Sequence, residues 1–185
     1  MVRLICNSAA YQRRSSKSDS SPAEKRFYAY ATKKPLSAEV LAGAIDDVSG
    51  VKSNYGTSQR AIQVVDRSSL GQLQILGQCE PGEPCEPTGA TLGIATHLHL
   101  MNGKLLNEKL RNPTSRLHKL LREGMEIRNV VRTFFEIALS RKPTAEETEE
   151  WIRRIESSEE ASSPVERLED FVWALLNCDE FRQNH

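Results

Sequence analysis

From position 37 onward, apolar residues recur at spacings of three and four. Val40, Leu41, Ala44, Ile45 and Val48 fall on one face of a helix beginning near position 38. Ser37 is placed to cap its N-terminus and Gly50 to stop it. Asp46 and Asp47 are adjacent in this helix and point about 100° apart. They are expected to face solvent rather than to form a carboxylate pair.

Residues 51–87 lose this period. Asn54, Gly56, Thr57 and Ser58 are loop formers. Residues 61–65 hold a short β-branched run and 70–76 alternate in part, so both read as short strands or extended segments. Pro81, Pro84 and Pro87 exclude a helix and predict an exposed loop there.

The helical pattern returns after position 88. It runs over 90–101 and breaks at Asn102-Gly103. A short helix follows with Leu105, Leu106 and Leu110, then another over 115–123 with Leu117, Leu120 and Leu121, closed by Gly124. A longer one over 126–141 carries Ile127, Val130, Val131, Phe134, Ile137, Ala138 and Leu139. Two capping boxes open the last helices. Thr144 with Glu147 precedes the stripe Trp151, Ile152 and Ile155; Ser163-Pro164 with Glu166 precedes Leu168, Phe171, Val172, Leu175 and Leu176. The predicted fold is mainly α: a compact multi-helix array whose irregular N-terminal half holds one or two short strands. Short connections favour antiparallel neighbours.

Residues 1–35 read as a polar N-terminal segment and 36–185 as the helical domain. Residues 13–26 are Ser-rich, and Ser21-Pro22 with Glu24 offers a short helix start. At 185 residues the chain can bury a core without staples. Aromatics are only 6% of it, so that core is built mostly from Leu, Ile, Val and Ala. The net charge is zero, which argues against a general polyanion binder. The charge is nevertheless blocked: +6 over 1–35, −4 over 36–100, +4 over 101–140 and −6 over 141–185. Such alternation predicts basic segments seated on acidic ones, within the fold or on a partner.

No apolar run approaches the ~18 residues needed to span a membrane. Leu4, Ile5 and Cys6 are followed at once by Asn7-Ser8, too short a stretch for a signal peptide. Nucleophile elbow, P-loop, dinucleotide fingerprint, H-E-x-x-H and C-x-x-C-H motifs are all absent. Cys79 and Cys85, spaced C-x5-C, leave open a disulfide or two unpaired thiols. His97 and His99 lie two apart, on different sides of a helix, so they do not share a metal there. Cys79, Cys85 and His99 are the weak metal-ligand candidates, and they require the Pro-rich loop to fold back on the helix. Arg13-Arg14 and Lys33-Lys34 with Tyr11, Phe27, Tyr28 and Tyr30 form a short basic-aromatic segment, from which no nucleic-acid binding is expected given the neutral total. The run Glu146, Glu147, Glu149 and Glu150 lacks EF-hand spacing and reads as an acidic first helical turn.

Several stretches together resemble a known family. They are Leu4-Ile5-Cys6-Asn7-Ser8 with Tyr11-Gln12, Leu36 to Leu41 with Ser49-Gly50-Val51, Arg60-Ala61 with Gln63, Cys85-Glu86, and His99 to Gly103. Then come Ala138 to Arg141 with Pro143-Thr144, and Leu168 to Phe181 with Asn184-His185. In this order they resemble the C-terminal portion of the planctomycete-type domain of unknown function. In that family it ends large exported proteins, often downstream of cytochrome c-like modules. The resemblance implies that the chain is the C-terminal part of a larger domain, and that Leu4 and Ile5 lose their natural cover. Relatives are implied to be exported, periplasmic or on the cell surface. No cofactor is expected in this chain, haem being confined to upstream modules of full-length relatives. No catalytic residues carry over, and the family's Cys- and Arg-rich loop reads Cys85-Glu86-Pro87-Thr88 here. The function read from the sequence is a non-catalytic structural or protein-interaction domain, with upstream domains or envelope proteins as partners. The alternative is an accessory domain of a redox or hydrolytic enzyme, contributing loop 77–89 and His99 to a site completed upstream.

Overall fold

The computed structural model describes residues 1–9, 11–12, 34–56, 58, 60–64, 71–77, 94–157 and 162–184. The fold is mainly helical, as the periodicity predicts. A short helix α1 (Val2–Cys6) leaves Leu4 and Ile5 exposed at 78% and 54%. Strand β1 (Lys34–Pro35) pairs antiparallel with β2 (Gln183–Asn184), so the start of the helical body is tied to the C-terminal tail. Helix α2 (Ala38–Ser49) follows. The Ser37 side chain accepts from the Val40 N–H, and Gly50 at φ 74° closes the helix in the left-handed region.

Residues 61–65 and 70–76 correct the strand reading where they are described. Ala61–Gln63 is a 3-10 turn and Gly71–Ile75 is helix α3. Their apolar residues serve as single plugs rather than as a sheet face: Ala61, Leu73 and Leu76 are each 1% exposed.

The other helices among the described residues are α4 (Ile94–Asn102), α5 (Lys104–Leu110), α6 (Arg116–Arg122), α7 (Ile127–Leu139), α8 (Ala145–Glu156), α9 (Pro164–Asn177) and α10 (Asp179–Arg182). Both capping boxes form, with reciprocal bonds at Thr144/Glu147 and Ser163/Glu166. Helix α9 packs against α5, α7, α8 and α10. Its Phe171 is fully buried, with Phe134 edge-on at 6.3 Å, Phe135 stacked at 6.2 Å and Trp151 edge-on at 4.9 Å. One apolar cluster runs from Ala38 to Phe181.

The charge blocks meet inside the fold. Arg116 of the basic block caps α2, donating to the Asp47 and Val48 carbonyls. Lys109 pairs with Asp46, Arg128 with Glu149, and His118 with Glu169. Arg141 makes two-pronged bonds to both Glu147 and Glu180, joining the α7–α8 connection to α10. No described helix is long and apolar enough to cross a membrane.

Candidate functional site

Helices α8 and α9 bring the chain's two tryptophans to one groove. On α9, Leu168, Phe171, Val172 and Leu175 turn to the core, which leaves Asp170, Trp173 and Ala174 on the flank. Trp151 of α8 is fixed from within by Phe171 and from without by the Arg154 guanidinium, 5.3 Å from its ring centroid. Arg154 is itself held by Glu150 at 2.7 Å. The opposite wall is Met101, at the end of α4, and Asn107 of α5. Asn107 donates to the Gly103 carbonyl, which fixes that wall. Arg167 closes one end by donating to the carbonyls of Ile155 and Ser162. The groove holds about 440 Å³.

A second lobe of about 390 Å³ continues past Asn107, Asp170 and Trp173 to Leu110, Arg111, Glu166 and Glu169. Burial pushes the Glu169 carboxyl up from its ordinary value, and the facing His118, 3.3 Å away, opposes that rise. Glu166 is held down by the N–H and hydroxyl of Ser163 in its capping box. Leu98 and Met101, one turn apart on α4, remain 56% and 48% exposed and extend the apolar floor to the surface. The paired walls, two indoles and bound guanidinium groups can grip an apolar side chain.

A separate polar cluster lies beneath α2. Contrary to the expectation for both aspartates, Asp46 is buried at 7% exposure, whereas Asp47 is open. The reason is long-range pairing: Lys109 Nζ lies 2.9 Å from Asp46 Oδ1, and Ser53 donates its N–H and hydroxyl to the same carboxylate. Lys109 also donates to the Val51 carbonyl at 2.7 Å.

The residues singled out in the sequence are dispersed. His99 is half-buried on α4 beside Gly103, and His97 is half-buried on the same helix. Cys79 and Cys85 lie outside the described residues, as does loop 77–89 beyond Gly77. Among the described residues no group of three His, Cys, Asp or Glu side chains is placed to hold a metal. Cys6 and Cys178 are free thiols; burial pushes Cys178 up, away from the thiolate. The acidic run has structural partners: Glu147 caps α8 and binds Arg141, Glu149 binds Arg128, and Glu150 binds Arg153 and Arg154. Of the basic-aromatic segment, residues 13–33 lie outside the described residues, and Tyr11 is exposed. The Trp151–Trp173 groove is absent from the sequence reading, because Trp151 sits in an ordinary apolar stripe and Trp173 lies off the stripe of its own helix. The available signal was rarity, since the chain has only two tryptophans.

A family model matches residues 1–154: PSD1, a protein of unknown function (DUF1553). The match ends inside α8, so the groove's second tryptophan lies beyond it. No curated protein and no solved structure matches the chain.

Proposed function

The chain belongs to the PSD1 family of proteins of unknown function (DUF1553), and from its own residues we propose that it is a non-catalytic protein-interaction domain. Its contact surface is the groove between Trp151 and Trp173, and its context is a larger exported or surface-associated protein. The observation that carries this reading is the pairing of both tryptophans over one cleft. Trp and Arg are the residue types that dominate binding energy at interfaces, especially in pockets walled from water. Here Arg154 and Arg167 are already anchored by Glu150 and by backbone carbonyls, so they are pre-organised rather than free.

Charge complementarity defines the partner. Asp170 is exposed, lines both lobes and has no ion-pair partner among the described residues. The surrounding C-terminal block carries −6. The fitting partner is a protein segment with an apolar anchor and a nearby Lys or Arg. The exported context is supported by the order of motifs along the chain, from Asn7-Ser8 to Asn184-His185.

Selection of a random displayed-peptide library against the whole chain tests this reading. Enriched peptides are expected to pair an aliphatic or aromatic residue with Lys or Arg. Trp173→Ala is expected to weaken them by about 2 kcal/mol, the scale of an interface hot spot. Absence of enrichment, or equal binding to Trp173→Ala, overturns it.

A further inference from the structure

A small cavity of about 80 Å³ sits against the buried Asp46–Lys109 pair and is lined by Gly43, Asp46, Asp47, Lys52, Tyr55 and Arg60. Tyr55 is 5% exposed, yet among the described residues its hydroxyl has no hydrogen-bond partner. Buried polar groups almost always find a partner, so an unpaired phenol facing a cavity points to something that fills it. We propose that this cavity binds a small carboxylate, held by the Tyr55 hydroxyl and the Lys52 ammonium, with Arg60 at its mouth.

The hydrogen-bond inventory sets the sign of the ligand. The Asp46 carboxylate already accepts from Lys109 and twice from Ser53. Its accepting capacity toward the cavity is therefore largely used. The spare groups are donors. Burial pushes the Tyr55 phenol up to about 12; Ser53 opposes the rise and the neighbouring Asp46 and Asp47 add to it, so the phenol keeps its proton at neutral pH. Among the described residues Lys52 has no ion-pair partner, and Arg60 is engaged by Asp47, at 3.4 Å. An acceptor ligand matches this excess.

The charge count limits the ligand to a monoanion. Lys52, Arg60 and the adjoining Lys109 stand against Asp46 and Asp47, a surplus of one positive charge. A dianion such as phosphate would leave uncompensated charge beside two carboxylates. The volume admits a few waters or one small acid, but no ring system. Two sources supply this chemistry: a free short-chain acid, or the terminal carboxylate of a peptide entering past Arg60. This site is independent of the tryptophan groove.

The test is a titration of the isotope-labelled whole chain, followed through its backbone amide resonances, with sodium acetate at constant ionic strength. Saturable shifts are expected at Ser53, Tyr55 and Gly56, with none from acetamide and weaker ones from inorganic phosphate. Tyr55→Phe keeps the ring, and Lys52→Ala changes an exposed side chain; each is expected to weaken acetate about tenfold, the loss of one charge-assisted hydrogen bond. A peptide with a free C-terminus that binds more tightly than acetate, and than its amidated form, identifies a chain terminus as the source. Acetate binding without that preference identifies a free acid. Non-saturating shifts, or unchanged acetate affinity in a folded Tyr55→Phe, overturn the proposal and leave a water-filled cavity.

Discussion

Lys109 and Asp46 form an ion pair at 2.9 Å with both side chains only 8% exposed. It links α5 to α2, and the surrounding bonds from Ser53 and to Val51 complete it. A buried pair of this kind costs more to break than it contributes to build, because the survivor is stranded without water. Lys109→Met is expected to destabilise the chain by about 3–5 kcal/mol, and the double variant Lys109→Met/Asp46→Leu to recover much of that loss. Urea unfolding of the two variants checks this. A single variant within about 1 kcal/mol of the wild type would mean that water reaches the pair.

Acid sensitivity is expected to centre on Arg141. Hydrogen bonds from this guanidinium, helped by the Thr144 N–H, pull Glu147 from 4.5 down to about 2. A carboxylate depressed in the folded state contributes stability that is complete above its unfolded pKa. That contribution is lost as pH falls from about 4.5 toward 2. Arg141→Gln is expected to lower stability at neutral pH and to flatten the decline over that window. Urea midpoints measured across the window in both proteins decide it; parallel slopes would contradict it.

Two glycines are expected to behave oppositely. A Cβ at Gly103 would overlap the His99 carbonyl and press on its ring, although φ there is an ordinary −71°. Gly103→Ala is expected to cost about 1–3 kcal/mol, as overpacking does. At Gly43, inside α2, a Cβ meets nothing within 4 Å. Gly43→Ala is expected to stabilise by about 0.5–1 kcal/mol through helix propensity. Thermal unfolding of both variants separates them by sign.

The parts of the fold legible in the sequence are those decided locally. Ser37 and Gly50 bound α2, and Thr144/Glu147 and Ser163/Glu166 open α8 and α9 where the capping pattern places them. Asn102-Gly103 breaks α4 from α5 because the backbone passes too close to His99 for any side chain. What local pattern does not carry is long-range pairing. Asp46 reads as a surface residue until Lys109 is brought beneath it. Residues 61–63 and 71–75 read as extended because their β-branched and apolar residues suit a sheet face, but no partner strand is placed beside them among the described residues. They tighten into short turns that bury one or two side chains each. The groove was hidden for the same reason: Trp151 lies in the apolar stripe of α8 and Trp173 on the flank of α9, and only the packing of α8 on α9 brings them to one cleft.

On the proposed reading, the tryptophan groove faces another protein surface in the assembled protein. Photo-crosslinking from position 173 measures this most directly. A benzophenone amino acid replaces Trp173 in the full-length protein, expressed in its own cells, with the exposed position 119 of α6 as the control. A light-dependent adduct is expected from position 173, on a segment rich in Lys or Arg, and it is expected to diminish when Asp170→Lys reverses the local charge. Adduct formation at 173 no greater than at 119, in protein that remains folded, would contradict it.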